Sequence, residues 1–224
     1  AASDGLAEAT GDSWDVGYNV GIMYHRGRTR LDLHYRSAIE HGLGGNTSIS
    51  RLTGPLAGAN GVSATNIDLE VPAIAALAVS HDLTDRLRLL AEVQWFGWSS
   101  FDEIRIRFDN GAPDQVRPQN YSDTWSAGLS AEYQWTEKWQ WRAGLLVDES
   151  PTNDEFRGTS IPDSDQVWYG LGATYRPSER WRIGLGYTYS DFDAADINLF
   201  IPAFAGTPVA GLVNVKGRTR NHVN

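Results

Sequence analysis

"VWYGLGATYRPSERWRIGLGYTYSDFD", residues 167–193, alternates on both sides of one short turn. Its odd positions are Val167, Tyr169, Leu171, Ala173 and Tyr175, then Trp181, Ile183, Leu185, Tyr187 and Tyr189. Its even positions include Gly170, Gly172, Thr174, Arg176, Arg182, Gly184, Gly186, Thr188 and Ser190. A period of two is the signature of a strand, and Pro177-Ser178-Glu179-Arg180 folds the pair into a hairpin. Two environments fit such a hairpin. A soluble sandwich would bury the large apolar face and wet the small one, whereas a membrane barrel would turn the large face to lipid.

The same alternation recurs along the chain. Trp14, Val16, Tyr18, Val20, Ile22 and Tyr24 oppose Asp15, Gly17, Asn19 and Gly21, while Trp125, Leu129, Tyr133 and Trp135 oppose Ser126, Gly128, Ser130 and Glu132. Nine strands are predicted, near 13–26, 29–49, 66–83, 86–109, 121–136, 139–150, 166–177, 181–198 and 211–224, each antiparallel to the next. Between Trp98 and Glu103 the parity flips, as at a bulge or in a strand that has left the bilayer.

The connections choose between the two environments. Tight turns near Gly27-Arg28, Thr84-Asp85, Glu137-Lys138 and Ser178-Glu179 alternate with long loops near 43–65, 109–120, 150–165 and 196–210. Short turns at one end and long loops at the other are the habit of outer-membrane barrels. Tyr24, Tyr35, Tyr133, Trp135, Trp139, Tyr175 and Trp181 cluster beside the tight turns on the apolar face, where an interfacial aromatic girdle belongs. The fold class that follows is all-β, a transmembrane antiparallel up-and-down β-barrel, with Trp125, Leu129, Tyr133, Leu171 and Leu185 facing lipid and Ser126, Glu132, Arg142 and Arg182 facing the lumen.

Composition removes alternatives. Among 224 residues, 19 Lys and Arg stand against 28 Asp and Glu for a net charge of -9, which argues against nucleic acid as a partner. No run of apolar residues is long enough for a membrane helix, and the absence of Cys rules out thiolate and disulfide chemistry here.

Longer stretches resemble a known family. "GYNVGIMYHRGRTRLDLHYRSAIEHGLGG" (17–45), "DLEVPAIAALAVSHDLTDRLRLLAEVQWFGWSSFDEI" (68–104), residues 121–175 and "GLGYTYSDFDAADINL" (184–199) are similar to the long-chain fatty acid transporter family (FadL/TodX-like) of Gram-negative outer membranes, which includes aromatic-hydrocarbon channels. The most specific piece is D-x-S-P…D-x-x-R…I-P-D-x-D…W-x-x-L, formed by Asp148, Ser150, Pro151, Asp154, Arg157, Ile161, Pro162, Asp163, Asp165, Trp168 and Leu171. The resemblance implies a fourteen-stranded barrel plugged by an N-terminal hatch, of which residues 1–224 would supply the sixth to the fourteenth strand, with the hatch and first strands absent. It also implies an outer-membrane location and passive uptake of fatty acids or other hydrophobic molecules.

No catalytic constellation stands out, and the five His (25, 34, 41, 81 and 222) lack metal-ligand spacing; no enzyme activity, cofactor or metal is predicted. The inward-facing Arg30, Arg36, Arg88, Arg142, Arg176 and Arg182, interspersed with Asp32, Glu40, Asp68, Glu70, Glu92 and Glu132, suggest a cross-strand ion-pair network. Arg157, beside Phe156, either braces its loop against Asp154 or Asp163 or receives a carboxylate through the planar guanidinium. Apolar loop residues Leu52, Leu56, Phe200 and Phe204 suggest loop packing or a hydrophobic ligand groove. Phe156, Arg157, Leu52, Leu56, Phe200 and Phe204 are thus the candidate substrate-binding residues for a long-chain fatty acid or hydrophobic small molecule. A structural or adhesive barrel, binding a partner through its loops, is the alternative.

Overall fold

The computed structural model describes residues 5–158, 163–203, 211–219 and 222–223. The strands are β1 (Leu6–Asp12), β2 (Asn19–Arg26), β3 (Thr29–Arg36), β4 (Ile39–Ser50), β5 (Gly61–Val71), β6 (Ile74–Asp82), β7 (Leu87–Phe96) and β8 (Glu103–Phe108), followed by β9 (Gln115–Pro118), β10 (Thr124–Gln134), β11 (Trp139–Asp148), β12 (Gln166–Ser178), β13 (Trp181–Phe192), β14 (Ala195–Ala203), β15 (Gly211–Thr219) and β16 (His222–Val223). A nine-stranded sheet runs β2-β3-β6-β7-β10-β11-β12-β13-β16, a five-stranded sheet runs β1-β4-β5-β8-β9, and β14 pairs with β15. Laid end to end, these strands make nine antiparallel legs in chain order, a partial barrel.

The legs are not continuous, which corrects the expected spans. The first leg starts at Leu6 rather than 13, and residues 13–18 carry no ladder although Trp14, Val16 and Tyr18 alternate. The legs expected at 29–49, 66–83 and 86–109 break at Ser37-Ala38, Pro72-Ala73 and Gly97–Asp102. Pro72 has no N–H to give the ladder, and the parity flip after Trp98 is a 3-10 turn over Trp98–Ser100. The breaks lie at one level, because Arg36 pairs with Ile74 and Ile74 with Phe96. Three expected loops are shorter than their alternation-free sequence suggested. β4 and β5 pair from Ile39–Val71 up to Ile49–Gly61, β9 occupies part of 109–120, and β14 runs to Ala203. Gly, Asn, Thr and Ser in "GLGGNTSIS" hide these strands from a period-two reading, since backbone pairing and a Thr65 to Thr47 hydroxyl bond of 2.9 Å hold them in place of apolar side chains.

The tight turns stand where expected. Gly27 adopts φ +59, the left-handed conformation that closes the two-residue turn between Arg26 and Thr29. Two further turns share one device. The Thr84 hydroxyl accepts from the Arg86 and Leu87 amides at 3.1 and 3.0 Å, and the Thr136 hydroxyl accepts from Lys138 and Trp139 at 3.3 and 3.1 Å.

The faces divide as the alternation predicts. Leu129 and Leu185 are 67% and 77% exposed, and Trp125, Tyr133 and Leu171 are exposed beside them, whereas Ser126 is 4% exposed. Among the described residues only Ala195 and Ile197 are buried apolar residues. A soluble sandwich would need a packed apolar interior, so the large face is the lipid face. The opposite face is concave, because side chains of β3, β6, β7, β10, β11, β12 and β13 line a single cavity.

Candidate functional site

The cavity on the concave face has a volume of about 520 Å³. Its middle is apolar, with Leu90, Leu146 and the Trp168 ring beside Ala78, Gly128, Gly144 and Gly170. Register explains the grouping. Leu90 pairs with Ser80 and Ser130, and in the adjacent inner row Gly128 pairs with Leu146 and Leu146 with Trp168, so two neighbouring rows that cross β6, β7, β10, β11 and β12 bring the three large side chains to one patch. Leu90, Leu146 and Trp168 stand at parity positions otherwise given to small or polar residues. That departure is the sequence signal for this groove, and the loop-centred expectation missed it.

Toward the turn end the wall becomes ionic. Arg30 reaches Asp32 at 2.7 Å, Arg88 reaches Asp82 at 2.6 Å and Glu132 at 3.8 Å, and Arg142 reaches Glu132 at 3.0 Å. Each pair is partly exposed and screened by solvent, so these pairs specify register and polarity more than stability. The network is smaller than expected, for Asp68 pairs with Arg107 at 2.5 Å in the five-stranded sheet, and Glu40 and Glu70 line a separate acidic cavity with Asp15, His41, Asp102 and Glu103. Asp15 there is held below the ordinary carboxylate range by hydrogen bonds from Ser13 and His41.

At the loop end, the segment after β11 is fixed by an internal frame. Arg157 is 6% exposed. Its Nε donates to the Asp163 carbonyl at 2.6 Å, Nη1 to the Asp196 carbonyl at 2.7 Å and to the Asp154 carboxylate, and Nη2 to the Thr152 carbonyl at 3.4 Å. The Ser150 amide and hydroxyl donate to the Asp165 and Asp163 carboxylates, each at 2.8 Å. Three backbone contacts dock this frame on its neighbours, Ser122 N to Pro151 O at 2.9 Å, Asp193 N to Asp165 O at 2.8 Å and Asn198 N to Asp154 O at 2.8 Å. Beside it Trp98, Phe101 and Tyr121 form an aromatic triad with centroid separations of 5.2 to 6.3 Å, and burial raises the Tyr121 phenol above its ordinary range.

The candidate residues do not converge on one point. Phe156 and Arg157 lie in the loop after β11, joined through Asp196 to β14, which carries the half-exposed Phe200. Leu52 lies on the distant tip between β4 and β5, its amide bound to Asn60 at 3.0 Å. Leu56 sits in the 3-10 turn of that tip, and Phe204 lies outside the described residues.

A polar-walled partial barrel whose inner face holds an apolar patch and whose loop end is braced has recognisable relatives. The family model described as outer membrane protein transport protein (OMPP1/FadL/TodX) matches residues 1–209. The chain belongs to this family. Its relatives within the OMPP1/FadL/TodX family include the 47 kDa outer membrane protein of Pasteurella multocida, 29% identical over 197 residues that cover 82% of this chain and 45% of the relative. Outer membrane protein P1 of Haemophilus influenzae is 30% identical over 179 residues, covering 79% and 38%. The long-chain fatty acid transport protein of Escherichia coli O6:H1 is 26% identical over 195 residues, covering 82% and 44%. The fold is shared with a Pseudomonas aeruginosa FadL homologue of known structure, with a TM-score of 0.78 and 24% identity over 92% of this chain and 49% of that one. The chain spans about half the length of the curated relatives it matches. It is an outer-membrane protein of Gram-negative type, and in such barrels the end that carries the long loops is the extracellular one.

Proposed function

We propose that this chain forms part of the wall and mouth of a channel through which long-chain fatty acids or other hydrophobic small molecules cross the outer membrane without chemical change. The observation that carries the reading is the apolar patch of Leu90, Leu146 and Trp168 on two neighbouring inner rows, set with glycines into a wall that is otherwise polar. A pore for ions or sugars has no use for such a patch, whereas an apolar chain laid along it leaves water. Phe156 and Phe200 are proposed as one capture patch above, Leu52 and Leu56 as a second on the tip between β4 and β5, Phe204 as a further candidate, and Arg157 as the residue that sets the loop over the mouth. The reading predicts that radiolabelled oleate accumulates faster in cells carrying the gene than in a deletion strain. Equal accumulation would overturn it, and loss of phage or surface adhesion alone would favour a structural or adhesive barrel.

A further inference from the structure

The inner wall changes character at its extracellular end. Ser126, Asp148 and Gln166 stand side by side on β10, β11 and β12. Ser126 hydrogen-bonds Asp148, and Gln166 Nε2 donates to Asp148 Oδ2 at 3.2 Å. Two positions below Gln166, Trp168 faces Ser190 across β12 and β13. Ser190 is 1% exposed, and Ser126 and Ser164 are 4% exposed. Yet among the described residues the Trp168 Nε1, Ser190 Oγ, Ser164 Oγ and Gln166 Oε1 atoms are buried without a hydrogen-bond partner. Buried polar atoms are nearly always paired. An indole N–H and an amide oxygen two positions apart on β12, with a hydroxyl across the ladder on β13, stand where Trp168 enters the apolar groove and therefore match the polar end of a ligand whose chain lies along that groove.

Charge and donor count select the ligand. The Asp163 and Asp165 carboxylates act on Asp148 through space, and the Arg157 cation is committed to carbonyls and to Asp154. An ionised carboxylate placed here would meet like charge. An ammonium group has no lone pair to accept from the Trp168 N–H. An uncharged hydroxyl accepts from Trp168 and donates to Gln166 Oε1. We propose that Gln166, Trp168 and Ser190 form a head-group site for hydroxyl-bearing amphiphiles such as long-chain alcohols and phenols; this rests on the channel reading and narrows its ligand class.

The test uses the protein purified from outer membranes, with dodecanol, dodecanoate at a pH where it is ionised, and dodecylamine each displacing a fluorescent hydrophobic dye. The double variant Trp168→Phe, Ser190→Ala is expected to bind dodecanol about tenfold more weakly, the loss of two hydrogen bonds, with dodecanoate weakened by a clearly smaller factor because only the shared chain contact with the ring at position 168 changes for it. Thermal unfolding of the ligand-free variant should stay level or rise, because the deleted groups have no protein partner. Equal weakening for all three ligands, an unchanged affinity for dodecanol, or a preference for dodecylamine would overturn the site. Failure of the wild-type protein to bind any of the three removes the channel reading as well, whereas binding without discrimination removes the head-group site alone.

Discussion

Leu185 on β13 and Val62 on β5 are similarly exposed, at 77% and 72%, but they stand in different solvents. Leu185 belongs to a continuous apolar outer face, with Ala173 across the ladder and Leu171, Tyr187 and Ile183 around it. Val62 pairs with Ser48 in a sheet whose next residues are Thr47, Asn46 and Gly45, none of them suited to hydrocarbon. Exposure alone does not distinguish lipid from water; the company each residue keeps across the ladder does. The level where the legs break is thus the upper limit of the membrane-facing wall.

The sharpest way to break this comparison is to place one charge on each sheet. Leu185→Arg or Leu129→Arg is expected to cost about 2–4 kcal/mol in urea unfolding from lipid vesicles, while Val62→Arg stays within about 0.5 kcal/mol. Equal costs would erase the distinction. The braced loop gives the next effect. Arg157→Ala leaves three carbonyls and Asp154 without their donor, and because Asp154 is itself exposed the expected loss is about 2–3 kcal/mol, below that of a fully buried pair. The loss should stay local, seen as faster hydrogen exchange over residues 150–158 with β10–β13 unchanged. If fatty acid and uncharged hydrocarbon then lose affinity equally, Arg157 is a brace only; a larger loss for the acid would assign it a carboxylate contact.

A smaller effect separates the groove from its frame. A Cβ at Gly144 would meet the Ser130 Cβ at 3.1 Å, so Gly144→Leu should cost about 1 kcal/mol yet lower oleate uptake severalfold by filling the groove. Unchanged uptake would move the ligand path elsewhere. The smallest effect is a pH response above the membrane. Asp123 is held below the ordinary carboxylate range by its hydrogen bonds with Ser99, whose amide lies at 2.8 Å. Its contribution is therefore complete above the unfolded value of about 3.9 and fades as pH falls through the lower folded value. Exchange of the Ser99 to Phe101 amides should quicken only in that acid range, and Asp123→Asn should abolish the pH dependence.

The strand order, the faces and the tight turns were legible because each rests on local alternation and turn chemistry. The breaks at Ser37 and Pro72 were not, for alternation continues through them and only the partner strand changes. At Gly97 the flipped parity did announce the break. The loop motif singled out Arg157, but its contact with the Asp196 carbonyl spans 39 residues and no spacing encodes it. The Gln166, Trp168 and Ser190 cluster depends on register between legs, which is set by the whole sheet.

The glycines of the inner wall have a mechanical consequence. Gly144 faces Gly170, and Gly172 faces Gly186, across three adjacent strands. A surface of bare backbone has no rotamers to rearrange as something slides past. Passage along it should meet little friction that depends on side-chain motion, so the rate of transit should respond to temperature more as the viscosity of the ligand's surroundings does than as a sequence of local conformational hops would.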